Sequence, residues 1–333
     1  MSGRPTRRQL LASAAALVGS VPLGAPAIAQ RRPKIRLGHL HVVAVDGHIW
    51  TGIDRGSFAG QGIEFELFAF DTGPDVFEAM AAGRLDLLSA GGVIADYLAR
   101  GAGRLFLIND IEVATAQLWV RPDRGVSSFA ELKGQRIATT RRTTAHIFLD
   151  RALRANNLTS SDVEIVSARM SDNVASFVAG EIPAIALWVP FNIVVRDKVP
   201  GAIRLVDASA YYPQAAVLGG WVARHDYYDA NKEALAGVIR GWADANDFIV
   251  RNGAAAAATL QKNHYSGTPL ADITESFRAQ KMFTSREWKR LYADGTVVKW
   301  LQQASDFFMA EAKVTGATPA TQYFDPSLYL SVI

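Results

Sequence analysis

The side chains best equipped for chemistry lie in one turn. From Thr139 to His146 the chain reads Thr-Thr-Arg-Arg-Thr-Thr-Ala-His, gathering four hydroxyls, two guanidinium groups and an imidazole. Gln135–Thr139 reads as a short strand before it. After it, Phe148, Leu149, Ala152 and Leu153 recur at helical spacing. Thr143 or Thr144 suits the N-cap position, and the first turn of such a helix leaves several amide groups without intrahelical acceptors. An end of this kind attracts anions by roughly 0.3–1 kcal/mol when exposed and about 2 kcal/mol when partly buried. The expected chemistry is non-covalent: capture of a small oxyanion, or of a molecule with an anionic head. Arg141 and Arg142 either add positive charge to that site or form a solvated loop face.

A second group follows the first strand, where His39 and His41 share one strand face and Asp46 and His48 lie close by. Four such residues could hold a metal, but their spacing matches no zinc motif, so no metal is expected. Catalysis is not expected either. There is no G-x-S-x-G elbow and no nucleophile evidently paired with a base. Trp242, Phe248, Trp288, Trp300, Phe307 and Phe308 recur at helical spacing and read as core.

The elements that must position these residues alternate. Strands are expected at Lys34–His39, Ile63–Phe70, Asp86–Ser89 and Leu105–Ile108, with helices at Gly47–Phe58, Val76–Ala82 and Val93–Arg100. A second βαβ series runs from Gln135 to about Val206, Val217–Ala223 is strand-like, and the chain from Asn231 onward is almost entirely helical. This rhythm implies mostly parallel sheets covered on both faces. Extended segments near 113–121 and 215–223 join two α/β units, so two lobes with paired crossovers are expected. Residues 30–116 and 219–333 would form the first and 117–218 the second. Ligands in such folds sit at the carboxyl ends of strands, in the crevice between the lobes.

Residues 1–29 read as an export segment: Arg4, Arg7 and Arg8, an apolar run over Leu10–Val21, and an Ala27-Ile28-Ala29 cleavage site. Thr6-Arg7-Arg8-Gln9-Leu10-Leu11 also fits a twin-arginine signal. The run is too short and Ala-rich to span a membrane. Without those three arginines, 35 basic residues fall to 32 against 32 acidic ones, a formal net charge of zero. Neither a nucleic-acid nor a membrane-surface partner is therefore indicated. The chain has no cysteine, so an exported product must rest on its core rather than on disulfides.

Four stretches carry a family resemblance: "GRLDLLSAGG" (83–92), "ELKGQRIATTRRTTAHIFLDRALRANNL" (131–158), "DVEIVSARMSDNVASFVAGEIPAIALWVPF" (162–191) and "GGWVARHDYYDANKEAL" (219–235). In order and spacing the chain resembles periplasmic substrate-binding proteins of ABC importers, the nitrate/sulfonate/taurine-type group related to thiamine-pyrimidine precursor binding proteins, across essentially all of 34–330. The resemblance implies two Rossmann-like lobes of the type II periplasmic-binding-protein kind. A small anionic solute would be held between them, an inner-membrane permease would be the partner, and the protein would act as a periplasmic monomer without a cofactor. Carried over by position, Gly91, Gly92 and Val93 open one ligand-binding helix. Thr143, Thr144 and His146, with Thr140 and Arg142 in the same turn, open the other. Trp188 faces the cleft, and His39 and His41 lie where the family lines its pocket. A sulfonate is the first expected ligand, with nitrate, bicarbonate, small carboxylates and pyrimidine precursors as alternatives. Leu218-Gly219-Gly220-Trp221 carries no carboxylate for a substrate amine, although Asp46 or Glu112 could supply one. The related synthase that makes the thiamine pyrimidine relies on a cysteine-rich iron motif, which this chain lacks.

Overall fold

Short apolar runs alternating with helices build two five-stranded sheets. The computed structural model describes residues 34–333, and the expected export segment at 1–29 lies outside them. The strands are β1 (Ile35–Leu40), β2 (Phe65–Phe70), β3 (Leu87–Ala90), β4 (Arg104–Ile111), β5 (Ala116–Val120), β6 (Arg136–Thr139), β7 (Glu164–Ser167), β8 (Ala184–Trp188), β9 (Ile203–Asp207) and β10 (Leu218–Ala223). The first sheet has the order β2-β1-β3-β10-β4 and the second β7-β6-β8-β5-β9.

Each sheet is parallel except for one strand that arrives from the other half of the chain. β5 runs antiparallel to β8 and β9, and β10 runs antiparallel to β3 and β4. All six residues of β10 are buried, as befits a strand with neighbours on both edges. The fold is thus the two-lobed α/β architecture, with two connections between lobes. One covers the few residues between β4 and β5, and the other runs from β9 to β10.

The helices around the first sheet and at the amino end of the second are α1 (Val43–Asp54), α2 (Gly73–Ala81), α3 (Ile94–Ala99), α4 (Thr144–Ala155), α5 (Met170–Ala179) and α6 (Phe191–Lys198). The carboxyl-terminal third adds α7 (His225–Ala230), α8 (Lys232–Arg251), α9 (Gly253–Asn263), α10 (Leu270–Arg278), α11 (Ser285–Ala293), α12 (Thr296–Glu311), α13 (Ala320–Tyr323) and α14 (Ser327–Val332). α1 begins four residues earlier than the sequence pattern suggests, directly after extended Val42, and it stops before Gly56, whose φ of +72° ends the helical geometry.

Two apolar cores follow the two sheets. The first packs β1, β3, β4 and β10 against α8, α11 and α12, with Trp221, Trp242, Trp288 and Phe308 buried in it. The second packs β5, β6 and β8 against α4 and α5. A polar network pins the first core. Buried Asn109 accepts from the indole N–H of Trp221 at 2.7 Å and of Trp242 at 3.0 Å, and donates to Ser89 Oγ at 3.0 Å. Trp300 and Phe308 are also buried, while Phe248 and Phe307 pack at the core margin. None of the described helices is long and apolar enough to cross a membrane.

Candidate functional site

The carboxyl ends of the parallel strands open onto one cleft. β1 leads to Leu40 and Val42, β2 to Thr72 and Gly73, β3 to Gly91 and Val93, and β4 to Glu112. From the second lobe β6 leads to Thr143 and Thr144, and β8 to Trp188 and Val189. With Ala44, Val45 and Thr115 these residues line a space of about 530 Å³, open solvent at its mouth included. Parallel strands place their carboxyl ends together, so this convergence is a consequence of topology.

Local chemistry sets each wall. Thr72 caps α2, its Oγ1 accepting from the Asp75 amide at 3.4 Å and donating to the Asp75 carboxylate at 2.6 Å. Thr143 occupies the N-cap position of α4 in extended geometry, yet its hydroxyl donates to the Thr140 carbonyl at 2.6 Å and caps no amide. The Thr144 and Ala145 amides at the start of α4 therefore keep their capacity to donate, beside the two threonines in the wall, while the His146 amide donates to the Thr143 carbonyl at 3.0 Å. Trp188 is half-buried, its indole meeting the Phe191 ring edge-on at 5.7 Å.

Among the described residues, Glu112 is the one charged side chain in the cleft wall. It is 5% exposed, and its Oε1 accepts from the Gly92 amide at 2.7 Å. Thr144 Oγ1, from the other lobe, accepts from the same amide at 3.2 Å. Glycine is required here because a Cβ at Gly91 would collide with Glu112, and one at Gly92 with Val217 and Thr144. Burial pushes the Glu112 carboxyl above its ordinary range, against the Thr144 hydroxyl and Gly92 amide that favour its charged form. Asp110, two residues earlier, is pushed up further by burial and by Glu112, and its Oδ2 has no hydrogen-bond partner.

Of the residues read from the sequence, Gly91, Val93, Thr143, Thr144 and Trp188 meet in the cleft wall. Gly92 stands just behind it with its amide committed to Glu112 and Thr144. The others lie elsewhere. Thr140 donates to the Ala168 carbonyl at 2.9 Å. Arg142 reaches the first lobe, with Nη2 2.6 Å and Nε 2.7 Å from Asp96 Oδ2. His146 is buried, its Nδ1 accepting from the Arg142 amide at 3.2 Å, with Glu311 3.6 Å from Nε2.

His39 and His41 converge on Asp46. His41 Nδ1 lies 3.1 Å from Asp46 Oδ2 and His39 Nδ1 3.4 Å from it. Trp50 Nε1 donates to the same oxygen at 2.8 Å and the Tyr265 hydroxyl to the other. Burial alone would raise the Asp46 carboxyl, but these hydrogen bonds outweigh it and hold it low. The His41 ring also stacks on Tyr265 at 4.5 Å. This cluster ties α1 to the chain following α9, which is a structural task. Asp46 is therefore committed, whereas Glu112 faces the cleft. No group of histidine, cysteine or acidic residues suited to a metal occurs among the described residues.

Several cleft residues escaped the sequence reading: Leu40, Val42, Ala44, Val45, Thr72, Gly73, Thr115 and Val189. Most are apolar or small and directly follow a strand. The strand-end rule, applied to every strand, would have found them.

A two-lobed α/β protein with a solute-sized cleft between its sheets has the periplasmic-binding-protein fold, and solved structures of that fold superpose on it. The alkanesulfonate-binding protein of Xanthomonas axonopodis pv. citri, solved bound to MOPS, aligns with a TM-score of 0.72 at 20% identity, over 88% of this chain and 98% of that one. The periplasmic aliphatic sulphonate binding protein of Escherichia coli aligns with a TM-score of 0.71 at 20% identity, over 88% and 92%. The chain belongs to the NMT1/THI5-like family, whose model matches residues 47–256. A relative from Brucella abortus (strain 2308), named only as a binding protein, is 25% identical over 271 residues, covering 81% of this chain and 83% of its own.

Proposed function

We propose that this protein is the solute-binding component of an ABC importer, exported to the periplasm by residues 1–29 and working there as a monomer. It takes a small organic solute into the interlobe cleft, and the closed form is presented to a membrane permease. The observation that carries this reading is the convergence of six strand ends, from both sheets, on one cleft of about 530 Å³. The names of its structural relatives support it, because they too are solute-binding proteins.

A sulfonate-bearing solute is the first candidate, since both superposed proteins are named for sulfonates. The Thr144 and Ala145 amides at the start of α4 would meet its oxygens. Each hydrogen bond to a charged group contributes roughly 1.5–3 kcal/mol. The apolar side chains of Leu40, Val42, Ala44, Val45, Val93, Trp188 and Val189 call for an organic portion. Nitrate or bicarbonate would leave those walls unfilled. The test is a thermal-shift screen of residues 30–333 against alkyl and aryl sulfonates, small carboxylates, nitrate, bicarbonate and aminopyrimidines. At one hundred times Kd a ligand stabilises by about 2.7 kcal/mol, several degrees for a protein of this size. A shift confined to organic solutes supports the reading, and a shift given by nitrate or bicarbonate alone contradicts it.

A further inference from the structure

A second, smaller cavity of about 290 Å³, open solvent at its mouth included, lies against the connections between the lobes. Residues 111–113 wall it at the first connection, Tyr211, Tyr212 and 215–217 at the second, and Phe148 and Arg151 from α4. Its donors lack acceptors. Among the described residues no hydrogen bond or ion pair engages the Arg151 guanidinium, and none engages the hydroxyl of Tyr211 or Tyr212. Burial works against the Arg151 charge and outweighs the support that Asp150 and Tyr211 give it. The Asp150 carboxylate is itself taken by Arg154, whose Nε donates to it at 2.8 Å. Glu112, the one acid in the lining, does not supply the missing anion. Its Oε1 accepts from the Gly92 amide at 2.7 Å, and burial pushes its carboxyl toward the neutral form. A guanidinium withdrawn from water without an anion is disfavoured, so an anion at this point gains more than it would in solvent. The planar guanidinium fork matches a carboxylate, and the apolar remainder of the wall calls for a carbon tail behind it.

We propose that this cavity is a second binding site, separate from the cleft, for a small organic carboxylate that pairs with the Arg151 guanidinium while Phe148, Tyr211 and Tyr212 enclose its apolar end. The site has a consequence for the cleft. α4 carries Thr144 in the cleft wall and Arg151 two turns further on, and both connections between the lobes border the smaller cavity. A carboxylate held there ties α4 to the two connections in the arrangement described above. Its binding is therefore coupled to that of a solute in the cleft, and the coupling is reciprocal.

The test titrates propionate and benzoate into the wild-type protein and its Arg151→Gln, Arg151→Lys and Tyr211→Phe variants. Propanamide and benzamide serve as uncharged controls and phosphate as an inorganic anion. Calorimetry gives the affinities, and the Nε–H resonance of Arg151, assigned by its loss in Arg151→Lys, reports contact in the wild type. The expected result is that one carboxylate binds, its amide does not, and the Arg151 resonance shifts on titration. Arg151→Gln weakens that binding by about tenfold or more, and Arg151→Lys, which keeps the charge, weakens it less. Tyr211→Phe should lower it a few-fold. The best compound of the thermal-shift screen should still bind Arg151→Gln, since it occupies the cleft. The wild-type resonance keeps the test decisive if Arg151→Gln fails to fold. Absence of carboxylate binding, an affinity unchanged in Arg151→Gln with a silent Arg151 resonance, equal binding of the amides, or tighter binding of phosphate overturns the proposal. Each leaves the cleft reading standing, because the cleft compound tests that reading by itself.

Discussion

Arg142, in the turn before α4, reaches out of the second lobe to buried Asp96 on α3 of the first, with its Nη2 2.6 Å from Oδ2. Arg100 holds the other Asp96 oxygen at 2.8 Å. The same polarity recurs around the cleft. Arg141 and His146 approach Glu311, Arg169 approaches Asp71, and Arg196 approaches Asp272 and Glu275. In every interlobe ion pair among the described residues the second lobe supplies the cation and the first the carboxylate. The rim thus holds the two lobes together, and among the described residues no positive side chain lines the cleft itself.

Arg142 adopts a φ of +61°, a region that disfavours side chains, so its guanidinium is held at some local cost. Replacing Arg142 by alanine should leave the fold intact and bias the lobes toward opening. With the guanidinium partly exposed the loss is about 1 kcal/mol, or roughly fivefold in Kd. Calorimetry with the best solute of the thermal-shift screen measures it, and X-ray scattering should show a larger radius of gyration for the variant.

Stability should fall as pH falls from 6.5 toward 4 because of His48. The side chain is buried against Trp242 and bonded to Asn246 Oδ1 at 3.1 Å, and burial pushes its pKa down to about 4. The unfolded chain, titrating near 6.5, takes up a proton that the native state refuses, so the stabilisation present above 6.5 is lost as pH drops to 4. The amount is about 3 kcal/mol. His41 acts in the opposite sense, its pKa raised by Asp46, but it is half exposed and its effect is smaller. Denaturant titrations at pH 4 to 7 should show a shallower pH slope for His48→Gln than for the wild type.

Asn109→Ala should destabilise the first lobe by about 3 kcal/mol, because it leaves two buried indole N–H groups without their acceptor. Asn109→Asp keeps that acceptor and should cost less on this account. Urea unfolding at neutral pH distinguishes them, and equal loss in both variants would remove the network from the explanation.

The fold and five of the fourteen residues lining the cleft were legible for one reason: strand, turn and helix signals are local. Thr143, Thr144, Gly91 and Val93 sit where a strand hands over to a helix, and Trp188 ends β8. The charged residues of the Thr-rich turn were harder, because their partners Asp96 and Glu311 lie on α3 and α12, remote in sequence. A guanidinium reads as a ligand contact until its carboxylate is known. His39 and His41 share this difficulty. Their common partner Asp46 is near, but Tyr265, which closes the cluster, is 219 residues from Asp46. The antiparallel insertions of β5 and β10 were likewise hidden, since a strand's direction within a sheet depends on which lobe it joins.

The central claim, that one organic solute lies between Trp188 and the Gly91–Glu112–Thr144 wall, is tested most directly by a crystal structure. The crystals would be of residues 30–333 grown with the compound giving the largest thermal shift. The account expects that compound in the interlobe cleft, touching side chains from both lobes. The compound bound outside the cleft, or to one lobe alone with Glu112 and Thr144 untouched, would contradict it.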